Sequence, residues 1–352
     1  MDGILNINKA TGMTSHDVVA KVRKILRQKR VGHTGTLDPA ASGVLPICIG
    51  QATRVAEYLS EGGKAYQAEI IFGAVTDTYD TEGTVIRTAP VAELTLPQVE
   101  QALSHFLGPQ AQLPPRYSAI KIQGQPAYKR VRAGEEISLE PRSINITQLE
   151  IIAWDSPRLT LAIECSKGTY IRSLAYDLGE RLGCGAYLGA LVRTRSGPFL
   201  LSESITLEQL AVAAVSGSVE EHLFPADRAL QDYPALLLDA TTAERVLHGN
   251  AFRYDHYNRD LPTSTDLARV YDTGGHSLAI AEWDAATGVE AKESISQIAQ
   301  QFFNELRLTS SCDTISQRNL RALTCKGQTY AKHGICNDNF SKRAYYNNYW
   351  QL

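Results

Sequence analysis

At 352 residues the chain is too long for one average domain and long enough to bury a sizeable core, which predicts two folded units. A composition of 43% hydrophobic and 21% charged residues is that of a soluble globular protein; no apolar run reaches the length of a membrane span and Met1 to Met13 lacks a signal-peptide pattern, so a cytoplasmic protein with no membrane partner is expected. The formal net charge of −3 argues against a nucleic-acid partner only on average, because residues 1–200 hold 22 Lys and Arg against 19 Asp and Glu, while residues 201–300 hold 6 against 16 and residues 301–352 hold 7 against 3.

In chain order, Ile4 to Asn8 reads as a short strand, and Thr14 and Asp17 have the spacing of a capping box that starts a helix. Val18, Val19, Val22, Ile25 and Leu26 repeat at helical intervals and leave Lys21, Arg23, Lys24 and Arg27 toward solvent. With Lys29 and Arg30 they form a basic run without one acid, and local density is what a phosphate backbone feels, since salt screens charges beyond about 10 Å. Two glycines and Pro39 predict a loop over Val31 to Pro39; Val44 to Ile49 resumes as a strand and Ala52 to Leu59 as a short helix. Tyr66, Ala68, Ile70 and Phe72 alternate with Gln67, Glu69 and Ile71, the period of a half-buried strand.

Thr95, Pro97 and Gly108 bracket a helix through Val99, Leu103 and Phe106. From Gln112 to Gly134 the chain carries Arg116, Lys121, Lys129, Arg130 and Arg132 with Tyr117 and Tyr128 and no acid, a mixture of phosphate contacts and stacking planes suited to RNA, although a solvated basic face is the plainer explanation. Leu149 to Ala153 and Leu159 to Cys165 are further strands, and Ile171, Leu174, Ala175, Leu178 and Leu182 mark a helix. Strands and helices without a regular βαβ beat predict an α+β domain over residues 1–215 with a mixed, largely antiparallel sheet. Ala214 to Glu221 reads as a linker, residues 225–288 as a small β-rich domain turning at Thr273-Gly274-Gly275, and residues 289–352 as a flexible or peripheral tail.

Cys48, Cys165 and Cys184 read as buried thiols. Cys312, Cys325, Cys336 and His333 lack the close pair that brings two thiolates to one ion, so no metal is predicted. Thr34-Gly35-Thr36 lacks the aspartate of a phosphorylated loop, and no phosphate-binding or dinucleotide-binding glycine pattern is present. Asp38 in a Leu-Asp-Pro context is, taken alone, a turn residue.

The nineteen positions from Gly32 to Gly50, GHTGTLDPAASGVLPICIG, closely resemble the catalytic motif of the TruB family of pseudouridine synthases. The resemblance continues through Lys64-Ala65-Tyr66, Thr76-Asp77-Thr78-Tyr79-Asp80, Lys167 to Leu174 and Gly185 to Thr194, and covers about residues 1–285. It implies a pseudouridine synthase core with an RNA-contacting insertion near 109–145 and a small PUA-like C-terminal domain, here departing from the family past Ala285. It further implies Asp38 as the essential carboxylate, Arg172 paired with it, Tyr66 against the target base, Tyr170 as a second active-site tyrosine, and Leu191 as an apolar wall. His33, Lys64 and Asp80 fall in substrate-contacting segments, and Lys21, Arg23 and Lys24 offer phosphate contacts.

The implied reaction is isomerisation of one uridine in the T-loop of tRNA, by a monomeric enzyme that contacts the T-arm and needs neither cofactor nor metal. The bond from C1′ to N1 breaks, the base turns, and C1′ joins C5, with no net redox change. A carboxylate could attack C1′, take the 2′ proton or add to C6. Two alternatives stay open: a relative that modifies other RNA under guide RNAs, and an RNA-binding or chaperone module on the same scaffold.

Overall fold

Residues 1–91, 93–248, 250, 252, 267–284 and 288–294 are described in this computed structural model. The first strand, β1 (Gly3–Lys9), alternates Leu5, Ile7 and Lys9 onto one face and pairs antiparallel with β3 (Ser42–Ile49). Between them lies helix α1 (Ser15–Leu26), which begins where the capping box predicts: Thr14 Oγ1 accepts from the Asp17 N–H and the Asp17 carboxylate accepts from the Thr14 N–H at 2.9 Å. Val18, Val19 and Val22 are buried, while Lys21, Arg23 and Lys24 face solvent. The segment expected as loop from Val31 starts instead as a strand, β2 (Val31–His33), paired antiparallel with β3. The cause is long-range: β3 meets its other neighbour only at Ser42 and Gly43, so its far half has open backbone groups for β2 to satisfy. A 3₁₀ turn (Gly50–Val55) then leads into α2 (Ala56–Glu61).

Strand β4 (Lys64–Phe72) buries every second residue, as its period predicts. The short β5 (Ala74–Thr76) and β6 (Val85–Thr88) carry the acidic loop between them. Helix α3 (Leu96–Leu103) has a capping box at Thr95 and Gln98 with proline in its first turn, but it ends before Phe106, and Gly108 opens β7 (Gly108–Gln112) rather than capping the helix. The basic segment folds as β8 (Lys121–Ile122), β9 (Gln125–Pro126) and α4 (Ala127–Arg132). Strand β10 (Arg142–Asp155) begins earlier than its apolar pattern because β7 pairs with residues 142–146. After β11 (Arg158–Cys165) come α5 (Ile171–Arg181), β12 (Ala186–Ser196), β13 (Phe199–Leu200), α6 (Leu207–Ser216) and β14 (Leu223–Phe224).

These strands form one ten-stranded sheet in the order β14-β1-β3-β12-β4-β11-β10-β7, with β13 added to β12 and β2 to β3. Every pairing along it is antiparallel except β12 with β3, so the α+β class and the mixed, largely antiparallel sheet hold. Helices α3 and α5 cover the β4, β11 and β12 end, and α1 and α6 cover β1 and β3. The expected linker is not one: Ala214 to Ser216 complete α6, Val219 is buried, and β14 rejoins the main sheet. Leu207, Leu210 and Ala213, at helical spacing, bury that segment in the α1 cluster.

A second sheet of four strands follows, formed by β15 (Ala235–Leu238), β16 (Leu267–Asp272), β17 (Ser277–Asp284) and β18 (Gly288–Ser294), with α7 (Ala240–Leu247) after β15. Its turn after Asp272 falls at the predicted glycines. Strand β18 lies where the tail was expected to begin, completed by backbone pairing with β17 where the apolar pattern is weak. Residues 295–352, including Cys312, Cys325, Cys336 and His333, lie outside the described residues. Among the described residues no helix is long and apolar enough to cross a membrane.

Candidate active site

The segment from Thr34 to Ala41 joins β2 to β3 and is fastened by groups that are themselves buried. Ser15, at the start of α1, donates its hydroxyl to the Leu37 carbonyl at 3.1 Å and accepts the Leu37 N–H at 2.9 Å. Lys9, fully buried at the end of β1, donates to the carbonyls of Ala10, Met13 and Pro39 at 3.0, 2.8 and 3.3 Å. Burial lowers its pKa to about 8, with the nearby Asp38 charge working the other way. Arg193, 1% exposed on β12, donates through Nε to the Val44 carbonyl at 2.7 Å and through its terminal nitrogens to the Gly35 and Thr36 carbonyls at 3.3 and 3.5 Å. Gly43 makes this approach possible: its φ is +104°, and a Cβ there would stand 2.3 Å from the Arg193 carbonyl oxygen.

Those anchors leave Asp38 at an edge, with its side chain 39% exposed, while the guanidinium that meets it belongs to a side chain only 8% exposed. Arg172 places NH2 3.0 Å from Asp38 Oδ2 and NH1 3.5 Å from Asp80 Oδ2, and NH1 also donates to the Thr78 carbonyl at 3.4 Å. Asp80 is buried and its other oxygen accepts from the Thr78 hydroxyl at 2.5 Å and the Glu82 N–H at 3.0 Å. Two carboxylates thus share one guanidinium; the buried one is tied to its own loop and the other opens onto a cavity.

Asp38, Ala40, Ala41, Asp80, Arg172 and Leu191 are among the residues lining that cavity. Tyr66, buried on β4 directly across from Arg193, has its phenol pushed up to about 12, chiefly by burial and against the pull of Arg193. Tyr170 stands at the N-cap of α5, its peptide held on both sides by the Gln112 amide at 2.8 and 3.0 Å. Burial raises its phenol too, opposed by Arg142, and the Asp38 charge acts in the same direction as burial on both tyrosines. Both rings therefore carry their protons at neutral pH.

Asp38, Asp80, Arg172 and Leu191 thus line one cavity, and Tyr66 and Tyr170 stand near enough for the Asp38 charge to act on their phenols, so that five separate segments meet around Asp38. Two of the residues expected at the substrate are otherwise engaged. The Lys64 ammonium donates to the Ser60 and Gly62 carbonyls at 3.3 Å, closing the end of α2, and burial lowers its pKa to about 8. His33 sits half-buried on β2, edge-on to His16 with ring centroids 5.2 Å apart, and burial, then His16, then Arg193 lower its pKa, favouring the neutral ring. On α1, Lys21 and Lys24 are exposed, but Arg23 donates to the Val31 carbonyl at 2.7 Å and so ties the helix to β2. Lys9 and Arg193 were not singled out from the sequence. Their signal was parity: each continues an inward alternation, after Leu5 and Ile7 in one case and after Leu191 in the other. Among the described residues no group of three or more His, Cys, Asp or Glu side chains could hold a metal ion.

Residues 23–171 match the model of the "TruB family pseudouridylate synthase (N terminal domain)" and residues 172–231 that of the "tRNA pseudouridylate synthase B C-terminal domain". A Symbiobacterium thermophilum protein named tRNA pseudouridine synthase B is 49% identical over 254 residues, spanning 71% of this chain and 83% of the relative. A Bacillus subtilis protein of the same name is 42% identical over 286 residues, spanning 80% and 92%. A solved structure described as "Crystal Structure of a Cbf5-Nop10-Gar1 Complex" superposes with a TM-score of 0.66 at 26% identity, covering 83% of this chain and 84% of that one.

Proposed function

Because this chain belongs to the TruB family of pseudouridylate synthases, a family of isomerases, we propose that it converts uridine to pseudouridine in tRNA, acting on the T-loop with Asp38 as its catalytic carboxylate. One observation carries the assignment: a partly exposed carboxylate held 3.0 Å from a buried guanidinium at the edge of a cavity. A surface ion pair would leave both groups wet, whereas here Arg172 is fixed and Asp38 alone faces outward.

The bond that must break lies at C1′, which a stacked nucleotide does not present to a protein side chain, so the uridine is taken out of the stack before reaction. Tyr66 then offers an apolar wall with Leu191, and Tyr170 a protonated phenol able to donate to the turning base. Arg172 aims the Asp38 carboxylate, which acts at C1′, at the 2′ proton or at C6. Phosphates of the T-arm meet the exposed Lys21 and Lys24 of α1 and the exposed Arg116, Lys121, Lys129 and Arg132 of the insertion, where the Arg132 guanidinium lies 5.8 Å over the Tyr128 ring. The buried free thiols Cys48, Cys165 and Cys184 fit the reducing cytoplasm as its place of action.

The test is to map pseudouridine in unmodified tRNA, and in a bare T-arm stem-loop without guide RNA, after incubation with the purified protein. Wild type should modify both at one T-loop uridine. Asp38→Asn should bind tRNA with unchanged affinity and lose at least about a thousandfold in rate. Turnover by Asp38→Asn would sink the mechanism, and a requirement for guide RNA would sink the substrate.

A further inference from the structure

The loop that holds Arg172 from behind contains a residue in an uncommon backbone state. Tyr79 has a φ of +65°, in the left-handed region that a side chain with a Cβ disfavours. The other described non-glycine residues there are Arg27, the C-cap of α1, and Gln123, beside Gly124 at the tip between β8 and β9; both are ordinary turn positions. Tyr79 lies in the loop joining the antiparallel β5 and β6, and unlike those two it sets an aromatic ring against a helix. Its N–H donates to the Thr76 carbonyl at 3.2 Å and its carbonyl accepts the Leu188 N–H at 2.9 Å. Its ring lies flat on that of Tyr176, with centroids 4.1 Å apart and planes 18° from parallel.

Both neighbours of that stack lead to the same guanidinium. Thr78 and Asp80, on either side of Tyr79, supply the two acceptors of Arg172 NH1, at 3.4 and 3.5 Å. Tyr176 follows Arg172 by one turn on α5, so the two side chains share a helix face. The loop is therefore fastened to α5 at two points, by ring on ring and by guanidinium on carbonyl and carboxylate. Neither tyrosine lines the cavity.

We infer that the Tyr79–Tyr176 stack is a positioning device for Arg172: it holds the 78–80 loop against α5 in the left-handed turn that turns Thr78 and Asp80 toward NH1, leaving NH2 to aim Asp38. This rests on the roles of Asp38 and Arg172 proposed above.

The experiment measures kcat and KM on unmodified tRNA for Tyr176→Ala, Tyr176→Phe, Tyr79→Asn, Arg172→Lys and the double variant Tyr176→Ala/Arg172→Lys, with Asp38→Asn as the control. Loss of the ring should lower kcat by about tenfold to a hundredfold, the scale of a small misplacement, with KM unchanged within about twofold. Tyr176→Phe keeps the stack and should stay near wild type. If Tyr176 acts through Arg172, its removal in the Arg172→Lys background should cost under about twofold more. Should Tyr176→Ala fail to fold, Tyr79→Asn carries the test, because asparagine accepts the left-handed backbone while removing the ring. An unchanged kcat, a raised KM alone, or full additivity with Arg172→Lys overturns the inference. Turnover by Asp38→Asn would instead overturn the parent assignment, so the two failures are distinguishable.

Discussion

The segment around Asp38 and the basic stretches of α1 and of residues 121–132 both carry cations, but they hold them in opposite ways. Around Asp38 the cations are inside: Lys9, Arg172 and Arg193 are 0, 6 and 1% exposed, and each donates to at least two oxygen groups. On the two basic stretches Lys21, Lys24, Lys121, Lys129 and Arg132 are exposed. A buried cation fixes geometry, because any displacement leaves a desolvated charge and orphaned carbonyls. An exposed one supplies field and little else. Substitutions in the two regions should therefore register in different measurements.

The largest effect should follow Arg193→Met. Three carbonyl partners lose their donor and the loop loses its tie to β12, a cost on the order of 3 kcal/mol. Thermal melting should fall by roughly 6–12 °C, with kcat reduced even where the protein remains folded. An unmoved melting curve would break the contrast. Next, Lys21→Gln with Lys24→Gln should leave the melting temperature in place, weaken tRNA binding, and make the slope of log affinity against log salt shallower by about 1.4 to 1.8. Adding Arg23→Gln sharpens the comparison, because that residue also holds β2 through the Val31 carbonyl and its loss should lower the melting temperature as well.

The smallest effect concerns pH. Burial brings Lys64 from the usual 10.5 to about 8. Between these values the unfolded chain keeps a proton that the folded chain has released, so folding stability rises with pH across that window and the contribution is lost as pH falls through about 8. Lys64→Met removes it. The melting-temperature difference between wild type and Lys64→Met should therefore shift in favour of wild type from pH 8 toward 10. Parallel pH profiles would place Lys64 on the exposed side of the contrast.

How much was legible in the sequence follows the same division. Local patterns carried α1, with its Thr14–Asp17 box, and β4, with its strict alternation, whereas Asp38, taken alone a turn residue, was reached through the resemblance of the Gly32 to Gly50 run. Arg172, Tyr170, Asp80 and Leu191 needed the resemblance, since nothing local says that α5, the acidic loop and β12 meet at one edge. Arg193 and Lys9 escaped notice because a charged side chain is taken for surface unless its strand parity is followed past the last apolar residue. The linker at Ala214 to Glu221 was misjudged for a related reason: serine, glycine and glutamate conceal a helix whose burial comes from α1, far away in the chain. The same holds for Lys64, which the motif offers to the substrate and the fold gives to the Ser60 and Gly62 carbonyls at the end of α2.

The parallel meeting of β12 with β3 at Gly43 also has a consequence in time. Arg193 and the Val44 carbonyl that it binds are 149 residues apart. At ordinary rates of synthesis that gap separates their emergence from the ribosome by roughly 7 to 30 s. Until Arg193 emerges, β1, β2 and β3 have their pairing partners, but the Asp38 segment lacks its tie to β12 and β3 lacks the strand that meets it at Ser42 and Gly43. The last tie of the Asp38 segment therefore arrives late. A nascent chain that ends before Ala186 would carry the whole motif without the three carbonyl ties of Arg193.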